Sequence, residues 1–546
     1  MKRFLCCLVF LVSAALLFGC TGGKRDAAVS TQYGFQETGY PIVTEPLTLT
    51  AAARRDALHG NWDETYWAYY AEKKSGIKIE FNYIDKQSWD QKKQLMFASN
   101  DLPDIILGGN GGITKVDEIQ YGTSGLILPL QDLIEKYAPN IEMALEDYPL
   151  VRANITTPEG DIYALPKIAY SVDSVRRVWI NSEWLDNLGM KMPETVEEMR
   201  KVLYAFKNND PDRNGASDTY AISGVFDNYE ADFRAMYLRA FGMLEADFIV
   251  DDKNVIYPPY TPEFKEYLKE MNFLYNEKLI DNEYFTQSVS EYKAKSSGVK
   301  VGLGCWSAPN VNGGMTQEAA LKYVNIIPLT SKINSVKMWD KAGEKESVLG
   351  KTGCFVITSQ CKYPEAAIRW ADMWYTEEGG IVCDIGPQYG EFPASPESGY
   401  KVDENGEWTQ YRPEGDGRDS WTFYNQVWAP ASGSCNFGLQ PEMFQKKKDV
   451  QNTPLYKLGM SFKEHSKDSK LNIMPSFYFD KDKQNELAIK KTEVQSYVKQ
   501  MEAKFITGDV PLDAFDTYLE TLKQYGVEDL ISTYQENYEA FINNMN

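Results

Sequence analysis

Oxygen-bearing side chains crowd one short loop around Asn214. The side chains at positions one, three, five and nine of this loop are those of Asp210, Asp212, Asn214 and Asp218. The spacing matches the first half of an EF-hand, in which alternate oxygens face one centre and a glycine, here Gly215, permits a sharp turn. Carboxylates so close together repel one another unless a cation or water lies between them. The loop therefore predicts a calcium site, to which the carbonyl of Ala216 would contribute.

This loop departs from a complete EF-hand. Position twelve is Ala221 and not the glutamate that would bind calcium with both oxygens. The alternative is a solvated Asx turn without a metal, and the sequence leaves that alternative open. If calcium binds, we expect it to have a structural role.

A second group of residues could form a surface for a flat, polar ligand. Tryptophan and tyrosine rings can stack on apolar faces, side-chain oxygens accept hydrogen bonds from hydroxyl groups, and glycine lets a ligand approach the backbone. An aromatic content of 13% suits a saccharide ligand, although each of these rings has the alternative of packing in a core. The residues that we predict to contact the ligand are Trp62, Asp63, Gly109, Asn110, Trp306, Tyr389 and Trp421.

The predicted elements place several of these residues at one edge of a sheet. "PLTLTAAA", "IKIEFNYI" and the apolar run at 105–107 are predicted strands, and helical patterns separate them. This order predicts a parallel α/β layer, whose ligands bind beyond the carboxyl ends of the strands. "HGNWDE" and "GGNGG" directly follow two of the strands, and "KVGLGCW" is a further predicted strand that ends at Trp306.

Few residues in this chain could carry out covalent catalysis. Only two histidines occur, which disfavours Ser–His or Cys–His catalysis and a multi-histidine metal site. Three of the eight cysteines lie in the first 20 residues, and the other five have no CxxC spacing. We interpret most of these five as small buried residues, and we expect no catalytic residue and no enzymatic activity.

The N-terminus predicts export and lipid anchoring. Residues 1–19 combine Lys2 and Arg3 with a short apolar run, which is typical of a secretory signal peptide and too short for a bilayer span. The sequence "LFGC" resembles a bacterial lipobox and predicts lipidation (palmitate) of Cys20. The polar stretch at 20–45 then predicts a flexible tether to a cell membrane, with the folded body on its extracellular face. A short membrane anchor is the alternative.

Composition limits the choice of partners. The net charge of −21 argues against nucleic acid as a partner. The length of 546 residues and the hydrophobic content of 43% predict two or more domains with large cores. We expect a monomer.

The order of several longer motifs resembles one known family. These motifs include "SNDLPDIILGG", "GDIYALPK", "VWINSEWLDNLGMKMPETVEEMRKVLYAFKNNDPDRNGASDTYAISG" and "YPEAAIRWADMWYTEEGG". They are similar to motifs of the extracellular solute-binding lipoproteins of bacterial ABC importers, in particular the large oligosaccharide-binding type of family 1. In that family the loop "DPxxNGxxD" often holds a structural Ca²⁺, usually with an acidic residue at the position that is Thr219 here.

The resemblance implies an α/β, two-lobed periplasmic-binding-protein-like fold of type II, with hinged lobes and a central ligand cleft. It places lobe one at about 46–165 and 347–390, and lobe two at about 166–346 and 391–546. The implied function is capture of a saccharide and its delivery to an ABC importer permease. A ligand that touches both lobes would stabilise the closed state relative to the open one.

Two alternatives to this function remain at the level of sequence. A surface glycan-cleaving enzyme would need a pair of carboxyl groups about 5–5.5 Å apart, and 78 acidic residues offer too many candidates to decide. A peptide-binding protein of the same fold is the other alternative. Detection of cleavage products would identify the first, and competition between peptides and glycans would identify the second.

Overall fold

We describe a computed structural model of the chain. It describes residues 32–169, 177–228, 231–244, 247–251, 253–306, 309, 314–338, 349–418, 420–430, 437–448, 458, 474–479 and 481–543. The predicted signal peptide (1–19) and the lipidation site Cys20 lie outside these residues. Within the described part, no helix combines the length and the apolar character needed to cross a membrane.

The first sheet has six strands in the order β14-β4-β11-β3-β1-β2. Their bounds are β1 (Leu47–Arg55), β2 (Ile77–Asp85), β3 (Ile105–Leu107), β4 (Leu165–Ile168), β11 (Lys351–Ile357) and β14 (Gly438–Leu439). Strands β2 and β3 both pair with β1 in parallel, and β14 pairs in parallel with β4. Only β11 runs against its neighbours within this sheet. The carboxyl ends of the other five strands therefore lie at one edge.

Helices cover both faces of this sheet. They are α1 (Tyr66–Ser75), α2 (Trp89–Ser99), α3 (Lys115–Thr123), α4 (Gln131–Tyr137), α5 (Pro139–Asp147), α6 (Pro149–Ile155), α13 (Pro364–Asp372), α14 (Glu377–Asp384) and α15 (Ser420–Phe423). The same part of the chain also forms an antiparallel hairpin of β12 (Gly399–Val402) and β13 (Trp408–Tyr411). Trp370 and Trp374, on one face of the α13 region, are fully buried core residues.

The second sheet has four strands in the order β10-β5-β9-β6. Their bounds are β5 (Arg177–Asn181), β6 (Tyr220–Ile222), β9 (Val301–Trp306) and β10 (Tyr323–Asn325), and a separate hairpin is formed by β7 (Ile249–Asp251) and β8 (Asn254–Ile256). The helices are α7 (Ser182–Asn187), α8 (Val196–Asn208), α9 (Arg234–Ala240), α10 (Pro262–Asn276), α11 (Val289–Ser297), α12 (Gln317–Ala320), α16 (Lys481–Thr507), α17 (Phe515–Gln524) and α18 (Val527–Asn543). The apolar stripe of α8, from Val196 to Phe206, is buried.

Each sheet has its own large hydrophobic core. One core joins residues of 35–168 to residues of 354–437, and the other joins residues of 178–329 to residues of 487–538. We call these bodies lobe one and lobe two. The described residues change lobe three times along the chain, between 169 and 177, between 338 and 349 and between 448 and 458. The predicted two-lobed α/β fold is confirmed.

Two packing details differ from the predicted division of the chain. The predicted tether at 20–45 includes residues 32–45, which pack on lobe one: Phe35, Ile42 and Val43 are buried, and Arg369 donates hydrogen bonds to the carbonyls of Gln36 (2.5 Å) and Gly39 (3.0 Å). The segment is held because its apolar side chains add to the lobe-one core.

The region after residue 390 also divides differently. The prediction placed 391–546 in lobe two, whereas Phe423, Trp428 and Phe437 pack in the core of lobe one and β14 joins its sheet. Apolar side chains at 423–437 fit the face of the first sheet, and among the described residues after 448 the packing in lobe two begins with Leu458 and continues through α16.

Candidate functional site

The carboxyl ends of β1, β2 and β3 form a polar edge of lobe one. We call the residues that follow or end these strands, at 54–63, 83–85 and 108–112, the lobe-one rim. Since the three strands are parallel and adjacent, the rim brings together residues that are far apart in sequence. Ligands of open α/β sheets bind at such an edge.

Arg54 connects two parts of the rim. Its Nη1 atom donates hydrogen bonds to the carbonyl oxygens of Gly108 (3.2 Å) and Asn110 (3.1 Å). Gly109 between them has a φ of 63°, a conformation that glycine adopts without strain. The backbone of Gly109 is thus held in place, and the side chain of Asn110 is exposed.

A second polar group surrounds Tyr83. The Tyr83 hydroxyl donates to Asp63 Oδ2 (2.9 Å) and accepts from the backbone N–H of Trp62 (2.9 Å). The Arg55 guanidinium lies 5.0 Å from the centre of the Tyr83 ring and 3.5 Å from Asp85. Burial and the bond to Asp63 raise the pKa of Tyr83, so the phenol stays protonated and keeps donating. The hydrogen bond from Tyr83 therefore holds the Asp63 carboxylate in one orientation, and the Asp63 side chain is exposed.

Trp62 does not have the role that the sequence predicted. Its side chain is 0% exposed, and its indole packs edge-on against Trp67, Phe81 and Tyr83 in the lobe-one core. A ring whose faces are covered by protein cannot stack on a ligand. We therefore assign Trp62 to the core, where it supports the strand end that carries Asp63.

Trp421 lies on a segment that packs beside the rim. The backbone of Gln426 approaches Gly60 so closely that a Cβ atom on Gly60 would lie 3.1 Å from its carbonyl oxygen. Trp421 is 53% exposed and stacks on Tyr424, with ring centroids 5.9 Å apart and planes 5° from parallel. Residues Tyr424–Trp428 form one π-helical stretch, a rare conformation that often accompanies functional sites. Sequence reasoning gave no signal for this stretch.

Tyr389 and Trp306 lie in other parts of the molecule. Tyr389 is 41% exposed, and the Lys401 ammonium lies 3.7 Å from its ring centre. Trp306 ends β9 as predicted but is 4% exposed and stacks on Tyr292 in lobe two. The structure thus places Asp63, Gly109 and Asn110 at the lobe-one rim and packs the segment of Trp421 against Gly60 of that rim, while Trp306 lies in lobe two.

The acidic loop forms a tight turn of its own. Asp210 accepts hydrogen bonds from the backbone N–H groups of Asn214 and Gly215, both at 3.1 Å. The Asn214 amide donates to Asp212 (2.8 Å) and to Asp218 (3.3 Å), and its oxygen accepts from the N–H of Ala216 (2.6 Å). These contacts draw the predicted ligands toward one centre.

The donor chemistry of this loop fits a hard cation. The Oδ1 atom of Asp212 is buried, and no atom of the described residues forms a hydrogen bond with it, which leaves one carboxylate oxygen unsatisfied there. Burial, and then the neighbouring Asp210, raise the pKa of Asp212, as expected for carboxylates that lack a counter-charge. Asp218, in contrast, pairs with Lys300 at 2.7 Å. Among the described residues, no cluster of three or more His, Cys, Asp or Glu side chains is arranged to hold a metal ion.

The described cysteines and His59 do not form a nucleophilic centre. Cys305, Cys354, Cys361 and Cys383 are buried, as interpreted from the sequence, while Cys435 lies outside the described residues. Burial raises the pKa of Cys354 to about 12, so that thiol is protonated at neutral pH. Burial lowers the pKa of His59 to about 4, so this side chain is neutral there.

The two sheets, the three passages between them and the polar rim define a two-lobed binding protein. Residues 54–381, more than half of the chain, match the family described as bacterial extracellular solute-binding protein. The chain belongs to this family.

Individual relatives cover nearly the whole chain. The fructooligosaccharide ABC transporter substrate-binding protein FusA of Streptococcus pneumoniae serotype 4 is 26% identical and covers 99% of this chain and 98% of its own length. A solved structure of the S. pneumoniae FusA EF-hand mutant in complex with fructo-nystose is 24% identical, has a TM-score of 0.68 and covers 91% of this chain and 100% of that one. An extracellular solute-binding protein from Bifidobacterium longum subsp. infantis is 21% identical, has a TM-score of 0.76 and covers 91% of this chain and 99% of that one. The solved structures share the fold.

Proposed function

We propose that this protein captures an oligosaccharide between its two lobes and delivers it to the permease of an ABC importer. The observation that carries the proposal is a polar edge with the oriented Asp63 carboxylate and the Asn110 loop, against which the segment that bears the exposed indole of Trp421 packs at Gly60, at the carboxyl ends of the strands of a solute-binding fold. An apolar ring face next to hydrogen-bonding groups matches a sugar, which has apolar faces and a hydroxyl rim.

The relatives support an oligosaccharide over other solutes. FusA is named for fructooligosaccharide transport, and its structure contains fructo-nystose. We propose binding without bond cleavage, because a rim that orients groups for hydrogen bonding accounts for capture with no nucleophile. The delivery step requires a permease partner. We propose that the protein is a monomer and that Cys20, once lipidated, holds it on the extracellular face of the membrane.

A ligand panel tests this function. We expect at least one oligosaccharide, with kestose and nystose as the first probes, to raise the melting temperature, because a ligand at 100 times its Kd stabilises the folded state by about 2.7 kcal/mol. Chromatography of the same samples should recover the sugar intact. Release of shorter sugars would identify a glycan-cleaving enzyme, and stabilisation by peptides alone would identify a peptide-binding protein.

We propose that the acidic loop holds a structural calcium ion. Asp210, Asp212, Asn214 and Asp218 would supply side-chain oxygens, and Ala216 its carbonyl oxygen, as hard cations prefer. The FusA structure that was solved as an EF-hand mutant supports a loop of this type in the relative. The ion would neutralise the repulsion that raises the pKa of Asp212.

Calcium should therefore change stability through Asp212. We expect millimolar Ca²⁺ to raise the melting temperature of the wild-type protein, and a chelator to reverse this effect. Folding raises the pKa of Asp212, so the metal-free loop loses stability as the pH rises above the ordinary value of that carboxyl, and calcium should remove this loss.

Asp212→Asn should abolish the calcium effect, whereas Asp101→Asn, at an exposed aspartate of lobe one, should retain it. Equal calcium responses in the two variants would show that the ion binds elsewhere.

A further inference from the structure

Residues 474–479 precede α16 and contact both lobes. The chain has entered lobe two before this segment, because Leu458 packs with Trp179 and Val301. Their side chains alternate between the two lobes. Phe477 and Phe479 lie against Tyr534 of α18 in lobe two, with ring centroids 5.7 and 6.4 Å away. Tyr478 contacts lobe one instead. This alternation is that of an extended chain, whose successive side chains point to opposite sides.

Tyr478 is held on lobe one by a buried polar cluster. Its hydroxyl lies 2.8 Å from Glu118 Oε2 and 3.0 Å from the carbonyl oxygen of Ile155, to which it donates. The Lys115 ammonium lies 3.7 Å from the centre of the Tyr478 ring and donates to the carbonyl of Asn154. Glu118 is 1% exposed, and within the described part of the chain its Oε1 atom has no hydrogen-bond partner.

Cavities flank this segment on two sides. One, of about 560 Å³, lies between Thr114 and Lys115 of lobe one and α16 and α18 of lobe two. The other, of about 530 Å³, lies between the 149–162 region of lobe one and the end of α18. Residues of 474–479 line both cavities. The two lobes are therefore loosely packed around a segment that one tyrosine fastens to lobe one.

We propose that Tyr478 is a positioning residue for lobe closure: its contacts with Lys115 and Glu118 fix residues 474–479 on lobe one, and lobe two turns about this point. This inference rests on the proposed function, because binding of the ligand is what drives lobe closure. Lobe two would move with Phe477 and Phe479, and the two cavities would change shape as it turned.

The charges around Glu118 give this attachment a pH dependence. The groups that face Glu118 are Lys115 and Asp117 of α3, Tyr478, and Cys354 of β11. Burial raises the pKa of Glu118 to about 7 and lowers that of Lys115 to about 8. The attached state binds the Glu118 proton more tightly than a hydrated, detached state does. The equilibrium constant for detachment should therefore increase as the pH rises from 6 to 8. Lys115 has a smaller effect in the opposite direction, and the net increase is about five-fold.

Hydrogen exchange of residues 476–479 tests the proposal without any saccharide. In wild-type protein we expect the protection factors of these amides, corrected for the intrinsic exchange rate, to fall about five-fold from pH 6 to pH 8. Tyr478→Phe should lower them roughly ten-fold or more at pH 6, because it removes a hydrogen bond to a buried carboxyl group. Glu118→Gln should keep the segment protected but remove most of the fall with pH.

Tyr267→Phe is the matched control, because the Tyr267 hydroxyl donates to the buried Glu502 (2.7 Å) inside lobe two. It should leave the protection of residues 476–479 and its pH profile unchanged. Three results would each overturn the proposal. The first is wild-type protection of residues 476–479 in Tyr478→Phe, and the second is an equal loss of protection in Tyr267→Phe. The third is a pH profile of Glu118→Gln that is the same as that of the wild type. Since no sugar is present, such a result is separate from a failure of saccharide binding.

Discussion

Replacing Trp421 with alanine is expected to weaken oligosaccharide binding about 30-fold, because central aromatic residues of binding sites contribute about 2 kcal/mol or more. The indole is 53% exposed and already stacked on Tyr424, so it is held in one orientation and loses little freedom when a ligand binds. The fold should be unaffected, since truncation of an exposed side chain leaves no cavity. Titration calorimetry with an oligosaccharide that binds the wild-type protein measures the change in Kd.

Two further variants make this result specific. Trp421→Phe keeps a smaller apolar face and should lose only part of the affinity. Tyr525→Ala removes another exposed aromatic ring, 38% exposed between α17 and α18 in lobe two, and should bind as the wild type does. If Trp421→Ala keeps the wild-type Kd, the ligand does not contact this side of the lobe-one rim.

The replacement Asp384→Leu is expected to destabilise lobe one by about 3–5 kcal/mol. Asp384 at the end of α14 pairs with Lys167 of β4 at 2.6 Å, and the Lys167 side chain is only 3% exposed. Removing the carboxylate leaves a buried ammonium group without its counter-charge. Urea unfolding followed by tryptophan fluorescence reports on lobe one, because its core contains several fully buried tryptophans.

The double variant Lys167→Met/Asp384→Leu is the matched control. Replacing both members of a buried ion pair by apolar residues is often neutral or stabilising, so we expect most of the lost stability to return. If the single variant is as stable as the wild type, the pair is better hydrated than the structure indicates. If the double variant is no better than the single, lost packing and not the unpaired charge is responsible.

The edge of the first sheet could be predicted from sequence because local patterns determine it. Strand, helix and turn signals placed the segments of Asp63 and Asn110 after parallel strands, and the structure has both at the lobe-one rim. The Arg55–Asp85 pair was missed although each residue lies within two positions of the end of a predicted strand. In-register pairing of β1 with β2 aligns these two residues, so a register argument would have found them.

Burial of individual rings could not be predicted in the same way. Trp62 follows a strand and looks available for a ligand, but Phe81 and Tyr83 of the neighbouring strand cover it. The sequence pattern shows only where a residue occurs along its own element. Which face is covered depends on side chains contributed by other elements, and this limit also explains why residues 32–45 were expected to be a tether.

The assignment of segments to lobes failed for a related reason. Strand β14 has only two residues, too few for a periodic signal, yet it joins the first sheet beside β4. Local signals are more direct where one side chain determines the structure. The hydroxyl of Thr195 caps α8 by accepting from Glu198 N–H (3.1 Å), and the pattern T-x-x-E is typical of a capping box. At α7 the Asn181 side chain accepts the hydrogen bond from Trp184 N–H (3.2 Å).

Small-angle X-ray scattering during a saccharide titration is the most direct test of the central claim that two lobes close on an intact sugar. We expect the radius of gyration to decrease in step with saturation by a sugar that the thermal screen identifies, and the sugar to be recovered unchanged. A saturated protein whose scattering profile is identical to that of the ligand-free protein would contradict closure, and the appearance of shorter sugars would contradict capture without cleavage.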